Sequence, residues 1–179
     1  NWSFAGNKIG LGANGTASVP VPDTAIRFFG DGVKATGVIF GGLTAADRNI
    51  LGNINGFGLL LSSANVSDFQ ILGNYFGTTS NGTGDAGIGL EAINVGGPSN
   101  VKIGNATAAG RNLIVHGGRN GIGLYTTSGT VEVQGNYIGV NAAGNPAGND
   151  SVGIFLDETG AKLIGGTTPG AANRIENNG

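Results

Sequence analysis

The 179-residue chain sets 11 Asp and Glu against 9 Lys and Arg, a formal net charge of −2 at pH 7. So even a balance gives no electrostatic reason to expect nucleic acid or an anionic membrane as partner, and no apolar run approaches the length of a membrane-spanning helix. With no cysteine and one histidine, His116, disulfides, thiolate chemistry and multi-histidine metal sites are excluded, and neither metal nor cofactor is expected.

Glycine supplies 37 residues, while 39% of the chain is hydrophobic and falls in short alternating runs. Almost no ten-residue stretch lacks glycine, which rules out long helices and predicts short strands between turns.

From the N-terminus, the first phrase is GNKIGLGANGTAS at Gly6, followed in a divergent stretch by the alternating apolar pair Ile26/Phe28. FGG at 40–42 leads into ADRNILGNING at 46–56 and the pair Phe57/Leu59. GNYFGTTSNGTGDAG at Gly73 repeats the first phrase, and Ile88/Leu90 follows. IGN at 103–105 leads into GRNLIVHGGRNG at 110–121 and Ile122/Leu124. The first phrase returns as GNYIGVNAAGNPAGND at Gly135, before Ile154/Leu156, IGG at 164–166 and ANRIENNG at 172–179.

The first phrase recurs after 67 and 62 residues, and Asn49, Asn112 and Asn173 of the second phrase stand 63 and 61 apart. The apolar pairs recur after 31, 31, 34 and 32 residues, about half that period, so two unit types alternate. One reads as IGLYT, VEVQGN and YIG with a loop at 140–151; the other as GIFLD, AKLIGG and NRIEN with its loop at 167–172. Three short strands cannot bury their own apolar face, but coils stacked at about 4.8 Å can. The expected fold is all-β: a right-handed parallel β-helix of five to six coils, three strands each, forming one domain over 1–179. Gly73-Asn74, Gly104-Asn105 and Gly135-Asn136 are expected to turn its corners with positive φ, and asparagines stacked on asparagines to hydrogen-bond up the stack.

NRIENNG, GIGLYTTSGTVEVQGNYIGVNAAGNPAGND and VGIFLDETGAKLIGGTTPGAANRI resemble the tandem parallel β-helix repeats of large bacterial surface and secreted proteins. More broadly the chain resembles the pectate-lyase-like superfamily, over essentially its whole length. The resemblance implies an extracellular or cell-surface structural or adhesive segment, partnered by surface polysaccharide or by further copies end to end. Its alternatives are a polysaccharide-degrading lyase or hydrolase and a tailspike-like recognition module. The NTD, DD, GHG and RIK phrases of galacturonan hydrolases are missing, and the acidic residues are scattered singly.

Positions one beyond each apolar pair are Phe29, Leu60, Glu91, Tyr125 and Asp157, which sets Glu91 and Asp157 two coils apart with Tyr125 between them. An inverting glycosidase spaces its acid and base by roughly 6.5–9.5 Å, so an enzymatic reading would fall on this pair; a solvated strand face is the simpler one. Tyr75 and Tyr137 occupy matching places and, with Tyr125, are candidates to stack on sugar rings, although Lys8 replaces tyrosine in the first copy. Arg48 and Arg111 each precede a repeat asparagine and read as turn anchors, and His116 as a loop residue. The chain opens within a second strand and stops where the next would start, without a polar cap, so a longer repeat protein or a fibre of stacked copies is expected.

Overall fold

The computed structural model describes residues 2–30, 32, 34–157 and 160–179. Among these, the alternating runs form eighteen strands of two to seven residues and one 3-10 turn, Ala108–Gly110. They make a parallel β-solenoid of about five turns with three sheets. The first sheet stacks β1 (Trp2–Phe4), β5 (Val38–Gly41), β8 (Val66–Leu72), β11 (Ser99–Ile103), β14 (Val131–Val133) and β17 (Lys162–Ile164), with β4 (Ala35–Thr36) also paired to β8. The second stacks β3 (Ile26–Phe28), β7 (Leu59–Leu61), β10 (Ile93–Gly97), β13 (Ile122–Thr127) and β16 (Ile154–Leu156). The third stacks β2 (Lys8–Ile9), β6 (Ile50–Leu51), β9 (Tyr75–Phe76), β12 (Leu113–Ile114), β15 (Tyr137–Ile138) and β18 (Arg174–Ile175).

Each coil runs through the first, third and second sheets in turn, and inward side chains stack on their copies. Leu59, Ile93 and Ile122 form one sealed column, Phe40, Ile71, Ile103 and Val133 a second, and Leu51, Phe76, Ile114 and Ile138 a third. Burying each such side chain contributes about 1.5–3 kcal/mol. At the N-terminal end Phe4 and Phe40 stack with ring centroids 5.1 Å apart.

Two of the expected apolar pairs are misplaced. Leu59 pairs with Ile26 and Ile93, so the inward pairs are Leu59/Leu61 and Ile93/Val95 rather than Phe57/Leu59 and Ile88/Leu90. In the run Leu59-Leu60-Leu61 alternation fits two registers, and Ile88 is buried in a different column, bridging Ile54 and Gly117 at a corner. The positions one beyond the pairs are therefore Phe29, Ser62, Gly96, Tyr125 and Asp157. Leu60 belongs to the neighbouring outward row, and Glu91 precedes its strand altogether.

The corner between the first and third sheets is held by a continuous amide ladder. The backbone N–H and side-chain Nδ2 of Asn7 both donate to Oδ1 of Asn49, at 3.1 and 2.9 Å. Asn49 donates the same pair to Asn74, Asn74 to Asn112, Asn112 to Asn136 and Asn136 to Asn173, at 2.9–3.2 Å. The second Nδ2 hydrogen reaches back one coil, to the carbonyls of Phe4, Phe40, Ile71, Ile103 and Val133 from Asn49 through Asn173. Asn49, Asn74, Asn112 and Asn136 have no solvent exposure, so every buried polar hydrogen of these side chains has an acceptor. The two repeat phrases thus fill one structural position, and the asparagines differ only in whether a loop precedes or follows them.

Glycine, not asparagine, takes the left-handed conformation at these corners. Gly73, Gly104 and Gly135 have φ of +69°, +73° and +69°, while Asn74, Asn105 and Asn136 do not enter that region. A Cβ on Gly135 would also lie 2.1 Å from the Asn105 carbonyl oxygen. Asn105 stands outside the ladder: its Oδ1 accepts from the Thr107 amide and hydroxyl, folding the loop ahead of Arg111.

Asn112→Ala strands the Asn74 donors and the Ile71 carbonyl, and is expected to cost about 3 kcal/mol or more. The equivalent change at half-buried Asn173, in the last rung, costs less. Urea unfolding of the two variants compares them directly; equal losses would show that the ladder does not carry the corner.

Candidate functional site

Among the sequence candidates, Tyr125 and Glu91 meet. Gly123 of β13 has no side chain, and a Cβ there would lie 2.8 Å from Cε2 of Tyr125 and 3.3 Å from Cγ of Glu91. In that space the Tyr125 hydroxyl donates to Glu91 Oε1 at 2.9 Å and Asn120 Nδ2 donates to the same oxygen at 3.2 Å. Arg119 approaches it to 3.8 Å from the solvent side. Glu91 itself has no solvent exposure, and its Oε2 has no hydrogen-bond partner among the described residues. Burial first, then the Glu91 hydrogen bond and charge, push the Tyr125 phenol above its ordinary value of 10.0.

Phe155, missed in the sequence, completes this face. It sits in outward register with Gly123, is 40% exposed, and its ring centroid lies 5.6 Å from that of Tyr125. Its place between inward Ile154 and Leu156 was the available signal. Asp157 follows on the surface, and its charge adds to the upward shift at Tyr125. The face therefore offers exposed Phe155 and half-buried Tyr125 beside charged side chains, whereas the Glu91 carboxylate is closed beneath Tyr125. Two-carboxylate hydrolysis requires both groups to face a common, substrate-filled gap.

Tyr75 and Tyr137 lie on another side of the molecule, in the outward row of the third sheet with Lys8, Ile50, Leu113 and Arg174. Their faces are not bare. The Arg48 guanidinium carbon lies 4.1 Å from the Tyr75 ring centroid and that of Arg111 4.1 Å from Tyr137, while Arg174 covers Tyr137 at 5.7 Å. Each of the first two arginines is fixed by Nε, which donates to the Gly73 or Gly135 carbonyl at 3.0 and 3.1 Å. They do anchor turns, and they also occupy one face of each tyrosine.

A concavity of about 500 Å³ follows the corner between the third and second sheets. Asp85, His116 and Asp150 reach it over a floor of Ile54, Ile88 and glycines. His116 stands at φ +49° with Nδ1 3.0 Å from the Gly77 carbonyl oxygen and 3.6 Å from Asp85. Among the described residues no cluster of three acidic or histidine side chains assembles into a metal-binding group. No family model, curated protein or solved structure matches the chain.

A phenol raised above its unfolded value stabilises the fold fully below about pH 10 and loses that contribution as pH rises through the folded value. Tyr125→Phe is expected to lower stability by about 1–2 kcal/mol at neutral pH through the lost hydrogen bond. The gap between wild type and variant should narrow above about pH 10. Urea midpoints of both proteins across that range test it, and a constant gap would refute the coupling.

Proposed function

We propose that this chain is a structural and adhesive segment of a secreted or surface-exposed β-solenoid, a stiff rod that displays side chains at fixed spacing. The observation that carries this reading is the asparagine ladder, which links six successive asparagines along the rod without a break and is sealed from water through most of its length. Such a ladder resists bending and shear between coils because displacement breaks several buried hydrogen bonds at once. The likeness of the repeat phrases to those of bacterial surface β-helix proteins, and to the pectate-lyase-like superfamily, supports the same reading. Among the described residues no helix is long and apolar enough to cross a membrane.

The adhesive surface is assigned to the outer face of the second sheet at Tyr125 and Phe155. Aromatic rings there present apolar planes to sugar C–H groups, and the exposed Arg119 guanidinium stands beside them for hydroxyls. Enzymatic cleavage by Glu91 and Asp157 gains less support, because the Glu91 carboxylate is closed to solvent.

The test is incubation of the purified chain with a panel of polysaccharides. Released fragments are read by mass spectrometry and retention by affinity electrophoresis. The expected outcome is no fragments, with retention by at least one polysaccharide that weakens about tenfold in Tyr125→Ala. Fragments that disappear in Glu91→Gln or Asp157→Asn would make the protein an enzyme and overturn the reading.

A further inference from the structure

The arginines and tyrosines of the third sheet form a column with one gap. Strand register stacks Ile50, Tyr75, Leu113, Tyr137 and Arg174, and Arg48 and Arg111 stand two residues before Ile50 and Leu113 in their own coils. Arg48 covers Tyr75, Arg111 covers Tyr137, and Arg174 follows. Between Tyr75 and Arg111 no stacking contact forms among the described residues. A pocket of about 160 Å³ lies there instead, over Leu113 and edged by Ala108 and Ala142. Both Arg48 and Arg111 line it.

The electrostatics of this pocket are one-sided. A guanidinium carries five N–H donors, and Arg48 and Arg111 each spend one, through Nε, on a glycine carbonyl. Arg174 is neutralised by Glu176 at 2.8 Å, but none of the ion pairs among the described residues involves Arg48 or Arg111. Their η nitrogens are pre-aimed by the Nε bond and the ring stack, which lowers the entropy lost on binding. Among the described residues no carboxylate lines the pocket. Its volume corresponds to about five waters at liquid density, which admits one headgroup and excludes a polymer backbone.

The geometry points to an oxyanion site: a sulfate, phosphate or carboxylate group held by the η N–H groups of Arg48 and Arg111, with Tyr75 and Leu113 as its walls. The in-plane fork of arginine matches such groups in pairs of hydrogen bonds. The overall charge is −2, so the protein as a whole does not attract anions and the attraction is local to this pocket.

The chain has three tyrosines, which makes the experiment direct. Tyrosine ring signals are followed by NMR while sodium sulfate is titrated against chloride at constant ionic strength. Saturable shifts at Tyr75 and Tyr137, with Tyr125 unmoved, are expected. Arg111→Gln and Arg48→Gln should each weaken binding about tenfold. Lys102→Gln removes the same charge from the first sheet, where Lys102 pairs with Glu132 at 3.3 Å, and should leave binding unchanged. A parallel arm with a sulfated polysaccharide separates the two sources of the group. Tighter binding of the polymer than of the ion assigns the pocket to a pendant sulfate, and equal or weaker binding to the free anion. Shifts that never saturate, that fall equally on Tyr125, or that weaken as much in Lys102→Gln overturn the proposal. The titration of the unsubstituted chain decides even where an arginine variant fails to fold.

Discussion

The fold depends on one polar contact repeated: an asparagine side chain that accepts two hydrogen bonds from the coil before it and donates two of its own. A solenoid corner is the place where a β-chain most easily fails, because the strand ladder is interrupted there while the backbone remains buried. In this protein the interruption is bridged by an amide whose two hydrogens and one oxygen are all used. The apolar columns supply the bulk of the burial energy, but they are tolerant of slippage along the rod. The ladder is not, since a shifted coil would leave both an amide nitrogen and an amide oxygen without partners. It is the register-setting interaction.

From this constraint the positions of the loops follow. The glycine with positive φ falls immediately before the ladder asparagine in one coil type and before an inserted loop in the other. In the first type the loop follows the third-sheet strand instead, closed by bridges Leu11–Ser18, Thr78–Asp85 and Val140–Pro146. These loops stack at intervals of two coils, Ser80 donating to the Gly15 carbonyl and Ala142 to that of Gly82. Alternation also sets arginine before the ladder in one coil and tyrosine after it in the next, which places guanidinium on phenol. The arginine-lined pocket beside Leu113 is a break in that series.

The second sheet shows a different use of space. Gly123 opens a recess in an otherwise occupied outward row, and Glu91 enters it from the corner preceding its strand. A carboxylate in so closed a place is held by Tyr125 and Asn120, and in turn fixes the tyrosine at the surface beside Phe155. The acidic residue thus sets the pose of the aromatic one.

The sequence by itself determined the fold class, the coil count and the alternation of coil types, because these follow from periodicity, and periodicity is a property of the string. It pointed to asparagines stacked on asparagines, but only the structure merged the two phrases into one ladder and set Asn105 outside it. It also brought Glu91 and Tyr125 together, though from a row that Glu91 does not occupy. The tertiary structure alone decided the register of β7 and β10, because a leucine run and a corner isoleucine satisfy alternation in more than one way. It decided that Tyr75 and Tyr137 are covered by arginines, which come from the neighbouring coil and lie 27 and 26 positions away in the string. And it decided that Glu91 is closed off, since burial depends on what stacks above and below a residue. Loops of unequal length break the constant offset between coils, so those neighbours cannot be counted along the chain.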